Sequence, residues 1–137
     1  MQVILDTSAI IALSDKRHHL NKEIIDLVSQ KETICIIPST VTVEVCQLLK
    51  YRFGSKYEKK FLEEIDKSSF IMETVTFKDI SRILQILTKY DDLNAGYVDS
   101  SIVAIAERLG TNKLATLDRK HFSVLIPDGF EYFDILI

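Results

Sequence analysis

The sequence predicts an α/β protein: a parallel sheet with helices on both faces. Short apolar, β-branched runs at Val3–Leu5, Thr33–Ile37 and Lys113–Leu117 lack the alternation of a half-solvated strand. Longer stretches with helical periodicity separate them, the pattern of a parallel sheet with crossover helices. The first and last of these runs each end in an aspartate, Asp6 and Asp118.

Val3–Leu5 reads as a central strand, and Asp6-Thr7-Ser8 as the cap of a helix over Ala9–Ser14. His18–Gln30 carries Leu20, Ile24, Leu27 and Val28 on one face and predicts a second helix. Pro38 closes the Thr33–Ile37 strand, and Ser39 or Thr40 is expected to cap a third helix reaching Phe53. Gly54-Ser55 breaks it before an amphipathic helix over Lys56–Lys67. Phe70–Val75 reads as a strand, and Thr76 caps a helix with Ile80, Ile83, Leu84 and Leu87 on its apolar side. A polar loop, Tyr90–Gly96, leads to a helix with Ile102, Ile105, Ala106 and Leu109 on one face. Asp99 and Ser100 suit its start and Gly110 its stop. After the Lys113–Leu117 strand, Asp128-Gly129 signals a turn, and Tyr132–Ile137 is a last strand or tail.

Length and composition suit one domain, residues 1–137, with a full core. A formal net charge of −3 supplies no global basic field, so a polyanionic substrate must be met by a local basic patch or bound cations. Cys35 and Cys46 form no Cys-x-x-Cys motif and read as buried thiols in a reducing compartment. No signal peptide precedes the first strand, and no apolar run approaches a membrane span. A soluble cytoplasmic protein is expected.

In open parallel sheets, sites form beyond the carboxyl ends of the strands, where connections diverge. Asp6 and Asp118 fall there, Asp99 stands at a helix start, and Glu44 sits one turn into the third helix, directly after the second strand. Singly, each acid suits a cap or a solvated face. Jointly they form an acidic constellation with a cost: two carboxylates about 5 Å apart repel by roughly 3 kcal/mol at an effective dielectric near 20. Such a group protonates in part or takes a divalent cation. With oxygen ligands, and no Cys or His at ligand spacing, Mg²⁺ or Mn²⁺ suits it better than Zn²⁺. A carboxylate-held Mg²⁺ shares itself with phosphate oxygens, which points to phosphoryl chemistry.

Four segments then carry a family likeness: Val3–Leu13, Ile37–Leu49, Tyr90–Ala106 and Leu114–Phe122. In order and spacing the chain resembles the PIN-domain nucleases, and within them the small bacterial and archaeal ribonuclease toxins of the VapC type. The resemblance implies a three-layer α/β/α fold on a five-stranded, mostly parallel sheet. It implies a Mg²⁺- or Mn²⁺-dependent endoribonuclease, the toxin of a toxin–antitoxin pair, with RNA as substrate, a homodimeric state and a small antitoxin partner. It assigns Asp6, Glu44, Asp99 and Asp118 as the acidic metal-binding quartet, with Asp92 as a further acid and Ser8 and Thr116 as supporting hydroxyls. Ser100 stands where the family usually has Ala, and Asn94 replaces a frequent Pro, a change expected to loosen its loop.

Weaker signals remain. His121 follows Asp118 by three residues, within reach of the site edge, with surface or packing duty the expected role. Lys50, Arg52, Lys56, Lys59 and Lys60, interleaved with Tyr51 and Tyr57, suit either two solvated helix ends or contacts to an RNA backbone. The alternatives to a nuclease are a PIN-domain RNA-binding or interaction module and a metal-dependent phosphatase-like or phospho-acceptor domain. A dehalogenase-type phosphatase needs a second Asp two residues after the first, where Ser8 stands. A receiver-type domain needs paired acids after the first strand and a late strand-end Lys, and neither arrangement is found.

Overall fold

A computed structural model describes residues 1–137. Five parallel strands, β1 (Gln2–Leu5), β2 (Ile34–Pro38), β3 (Ile71–Glu73), β4 (Lys113–Ala115) and β5 (Asp134–Ile135), stand in the order β3-β2-β1-β4-β5. The expected parallel sheet of five strands is therefore present, and it is parallel throughout.

Helices α1 (Thr7–Ser14), α2 (Asn21–Val28), α3 (Ser39–Phe53) and α4 (Ser55–Asp66) lie in the connections that step the chain from β1 out to β3. The chain then returns across the sheet through α5 (Phe77–Lys89) and α6 (Tyr97–Leu109) to reach β4. Right-handed crossovers put the outward helices on one face and the returning pair on the other. Most helix contacts segregate accordingly: α1 packs on α2 and α3, α3 on α4, and α5 on α6, while α3 and α6 also meet. The direction of travel reverses between β1 and β4, which are paired with Leu5 opposite Ala115. Whatever follows these two strands meets at one crevice.

The centre of the sheet is sealed. Val3, Ile4, Leu5, Ile37, Leu114 and Ala115 are all at most 1 % exposed, which explains runs without alternation. Ile10, Val41, Val45 and Leu49 cover one face, and Ile102, Ile105 and Ala106 belong to the same buried core.

Several boundaries differ from the sequence expectation, each for a visible reason. The second helix starts at Asn21 rather than His18, because His18 closes a turn. Its Nδ1 accepts the Leu20 N–H at 3.1 Å, while Asn21 Nδ2 donates to Ala12 and Leu13 carbonyls at the end of α1. Neither Ser39 nor Thr40 caps α3. Pro38 precedes the helix without a side-chain cap, Ser39 Oγ accepts from Val75 N, and the Thr40 and Ser101 hydroxyls lie 2.6 Å apart. The third strand is cut to three residues, since Arg108 takes the Thr74 carbonyl and Ser39 takes the Val75 N–H. Asn94 takes a conformation closed to the frequent Pro. It holds φ 58° after a 3₁₀ turn over Asp91–Leu93 and donates its N–H to Asp91 O, a left-handed geometry that Pro cannot adopt. A short helix, α7 (Arg119–Phe122), lies where the sequence reading placed no element.

Other expectations stand. Thr76 and Asp79 form a reciprocal capping box at α5, and Gly110 ends α6 at φ 69°. Arg108 of α6 grips Asp79 at 3.1 Å and Glu73 at 2.6 Å, while Arg82 of α5 grips Glu107 at 2.8 Å. These pairs clamp the returning helices together.

Ser100 and Ser101 make a natural contrast, since both are fully buried on α6. Ser101 Oγ donates to Val98 O at 2.6 Å, whereas Ser100 Oγ has no partner. An unpaired buried hydroxyl costs about 1–3 kcal/mol. Ser100→Ala should therefore stabilise the fold by about 1 kcal/mol, and Ser101→Ala should destabilise it by about as much. Denaturant unfolding of the two variants checks the pair, and equal losses in both would contradict it.

Candidate active site

The crevice forms where β1 and β4 end. Asp6 leaves β1 and caps α1, with Oδ1 accepting the Thr7 N–H at 2.7 Å. Its N–H binds Ala115 O at 3.0 Å, so the strand pairing itself fixes this residue. Asp118 leaves β4 and caps α7, accepting the His121 N–H at 3.0 Å. Asp99 is the third residue of α6, whose cap position is Gly96. It sits inside the first turn, where the helix dipole favours an anion. Glu44 lies on the sixth residue of α3. All four acids line one cavity of about 350 Å³.

A hydroxyl lattice holds the inner wall. Thr116 Oγ1 donates to Asp6 Oδ2 at 2.7 Å and accepts the Asp118 N–H at 3.0 Å. Because its one proton goes to Asp6, the Ser8 hydroxyl 3.3 Å away must donate to Thr116. Ser8 Oγ in turn accepts the Leu117 N–H at 2.9 Å. Ser8 and Thr116, read as supporting hydroxyls, thus tie the end of β4 to the start of α1.

The electrostatics are those of crowded, desolvated acids. Asp6, 5 % exposed, is pushed up to about 6, chiefly by burial, with Asp99 and Glu44 adding repulsion against its two hydrogen bonds. Asp99 is also raised, first by burial; Asp118 and Glu44 push it further while His121 opposes them. The acids therefore act on one another, as the sequence pattern implied.

His121 requires a correction. It is not merely a surface or packing residue: Nδ1 lies 2.9 Å from Asp99 Oδ2 and 2.8 Å from Asp118 Oδ2. The cause is local. The Asp118 cap draws the first turn of α7 back on itself, which brings a side chain three residues on against the capping carboxylate. The Asp-x-x-His spacing was the available signal. Asp92 is not brought in; it is exposed on the 3₁₀ turn and does not line the cavity. The basic segment divides. Arg52, two turns beyond Glu44 on α3, lines the acidic cavity, whereas Lys60 borders a separate apolar groove and Lys50, Lys56 and Lys59 are exposed.

The PIN domain family profile matches residues 3–125. The chain belongs to the PIN domain family. It is 28% identical over 134 residues to Ribonuclease VapC26 of Mycobacterium tuberculosis, covering 98% of this chain and 99% of that one. The crystal structure of Mycobacterium tuberculosis VapC20, a Sarcin-Ricin loop cleaving toxin, superposes with a TM-score of 0.78 at 18% identity, covering 87% and 92% of the two chains. VapBC2 from Rickettsia felis, crystallised with a DNA fragment from its promoter, gives 0.68 at 18%, covering 89% and 91%. These PIN-domain structures share the three-layer α/β/α fold expected from the sequence.

The donor set fits a divalent cation. Asp99, Asp118 and His121 each place one ligand atom within 4.8 Å of the others, and Asp6 and Glu44 complete an acidic wall. Without a cation, Asp6 and Asp99 are raised chiefly by burial, with the repulsion of neighbouring acids adding to it.

That shift sets a pH dependence. Folded Asp6 holds its proton up to about pH 6 against 3.8 for an unperturbed carboxyl, so between these values the unfolded state binds fewer protons. Stability in EDTA should therefore fall as pH rises through this window and stay lower above it, by up to roughly 3 kcal/mol. Asp6→Asn removes this contribution. The variant should be more stable than the wild type at pH 7.5 in EDTA and should match it near pH 4. A constant difference across that range, measured by denaturant unfolding, would contradict the assignment of strain to Asp6.

Proposed function

We propose that the protein is a Mg²⁺- or Mn²⁺-dependent endoribonuclease and the toxin of a toxin–antitoxin pair. The observation that carries this reading is the convergence of Asp6, Glu44, Asp99 and Asp118 on one cavity at the β1–β4 crevice of a PIN fold. Resemblance to a named ribonuclease over almost the whole chain supports the activity.

In this reading the four carboxylates hold the cation. When bound, it supplies an activated water and neutralises charge developing on the phosphodiester. The chain's own contribution is positional. Thr116 and the Thr7 N–H occupy both oxygens of Asp6 and fix its carboxylate at the floor of the cavity. Asp118, anchored by the Thr116 and His121 contacts, faces it from the end of β4. Arg52 is the cation at the cavity wall, placed to meet a phosphate that the acids alone would repel. Lys50, Lys56, Lys59 and Lys60 extend this positive edge along α3 and α4 as the track for RNA backbone. None of these five cations is engaged in an ion pair within the chain.

The partners follow the same reading. RNA is the substrate, and a small antitoxin protein is the inhibitor, for which the groove of about 450 Å³ among α1, α2 and α4 offers an apolar seat at Leu13, Val28, Phe61 and Phe70. A homodimer would cover the stripe Phe77, Ile80 and Leu84 on α5, exposed by 94%, 44% and 63%; sedimentation as a monomer would remove this part. No helix is long and apolar enough to cross a membrane, and the proposed site of action is the cytoplasm.

Cleavage of RNA should cease in EDTA and return with Mg²⁺ or Mn²⁺. Glu44→Gln should lower the restored rate by at least about 100-fold, as expected when a charged group at a reacting centre is neutralised. Undiminished cutting in EDTA, or by Glu44→Gln, would refute the proposal; RNA binding without any cutting would favour the interaction-module alternative.

A further inference from the structure

The four-carboxylate reading leaves His121 without a role, although it lies against two of the acids. Its Nδ1 is 2.9 Å from Asp99 Oδ2 and 2.8 Å from Asp118 Oδ2. That same nitrogen is sealed from solvent and faces the two carboxylate oxygens alone. The His121 backbone is also held in place. The His121 N–H binds Asp118 Oδ1, its carbonyl accepts the Leu125 N–H at 2.8 Å, and the neighbouring Phe122 is 1 % exposed.

We propose that His121 is a nitrogen ligand of the site, acting with Asp99 and Asp118, and that it biases the protein towards Mn²⁺ over Mg²⁺. The inference rests on the reading that the carboxylates hold a divalent cation. Its chemistry is that of donor softness. A neutral imidazole protonated at Nε2 offers a lone pair at Nδ1. Mg²⁺ is a hard cation that keeps to oxygen ligands and retains its waters, whereas transition-metal ions accept imidazole nitrogen. Three ligand atoms from Asp99, Asp118 and His121 already lie within 4.8 Å of one another, so no rearrangement is needed to share one ion. An all-carboxylate site would lack this means of discrimination.

The test uses the full chain and Mn²⁺ itself as the probe. Electron spin-echo modulation of bound Mn²⁺ reports directly coordinated ¹⁴N, and competition by Mg²⁺ gives relative affinity. Wild type should show ¹⁴N modulation and bind Mn²⁺ at least tenfold more tightly than Mg²⁺. His121→Ala should lose the modulation and most of that preference while keeping Mg²⁺ affinity within about threefold. His121→Asn, which retains a polar side chain on the α7 turn, guards against loss of fold and should behave alike; melting in EDTA shows that each variant is folded. His18 also borders the cavity, so His18→Ala should leave the ¹⁴N signal intact. Absence of ¹⁴N modulation in Mn²⁺-loaded wild type would overturn the inference, as would its persistence in folded His121→Ala or His121→Asn. Equal loss of Mn²⁺ and Mg²⁺ affinity in both variants would reduce His121 to a structural role and also overturn it. Failure of wild type to bind either ion would sink the underlying metal reading instead.

Discussion

The crowding of carboxylates at the β1–β4 crevice is the constraint on which the rest of the site depends. A parallel sheet that reverses direction between two adjacent strands delivers whatever follows them to the same place. Here the chain places Asp6 after β1 and Asp118 after β4, then brings Asp99 and Glu44 to them on helices from opposite faces. Asp6 and Asp99 lose hydration and gain like-charged neighbours, and the surrounding backbone holds Asp6 in that position. The Asp6 N–H is bound into the sheet, and Thr116 bridges Asp6 to the Asp118 backbone. The fold supplies the strain, and a bound divalent cation would relieve it.

The helices share this task unequally. α1 and α7 begin at site acids and use them as caps, so the residues that would bind a cation also satisfy helix N–H groups. α6 carries its acid inside the first turn and relies on Ser101, close to Thr40, for its approach to α3. Far from the crevice, Arg108 and Arg82 clamp α5 to α6 by ion pairs that are partly exposed and so individually modest. The stability of the site therefore rests mainly on the sealed strands and helix faces around Ile4, Ile37, Leu114 and Ile105.

Much of this was legible in the sequence because burial on both faces of a central strand leaves a plain signature. Val3–Leu5 and Lys113–Leu117, each followed by Asp, identified both the sheet and the crevice. The boundaries that were misread share one cause: side chains took backbone partners that local propensity had reserved for strands or caps. Ser39 went to Val75, Arg108 to Thr74 and His18 to Leu20. Such choices depend on residues distant in sequence or on ring geometry, and no periodicity reveals them. His121 was misjudged for a related reason, since its position depends on the Asp118 cap that folds α7 over the site. Asp92, by contrast, followed from family likeness alone, and its exposed turn keeps it off the cavity.

The account stands or falls on whether these carboxylates form one cation-demanding unit. The most direct measurement is the titration of Asp6, followed by ¹³C NMR of its side-chain carboxyl in EDTA and again with saturating Mg²⁺. The account predicts a midpoint near 6 without metal, set mainly by burial, and a fall of at least about one unit when Mg²⁺ favours the ionised form. An ordinary carboxyl midpoint near 4 in EDTA, unmoved by Mg²⁺, would contradict it.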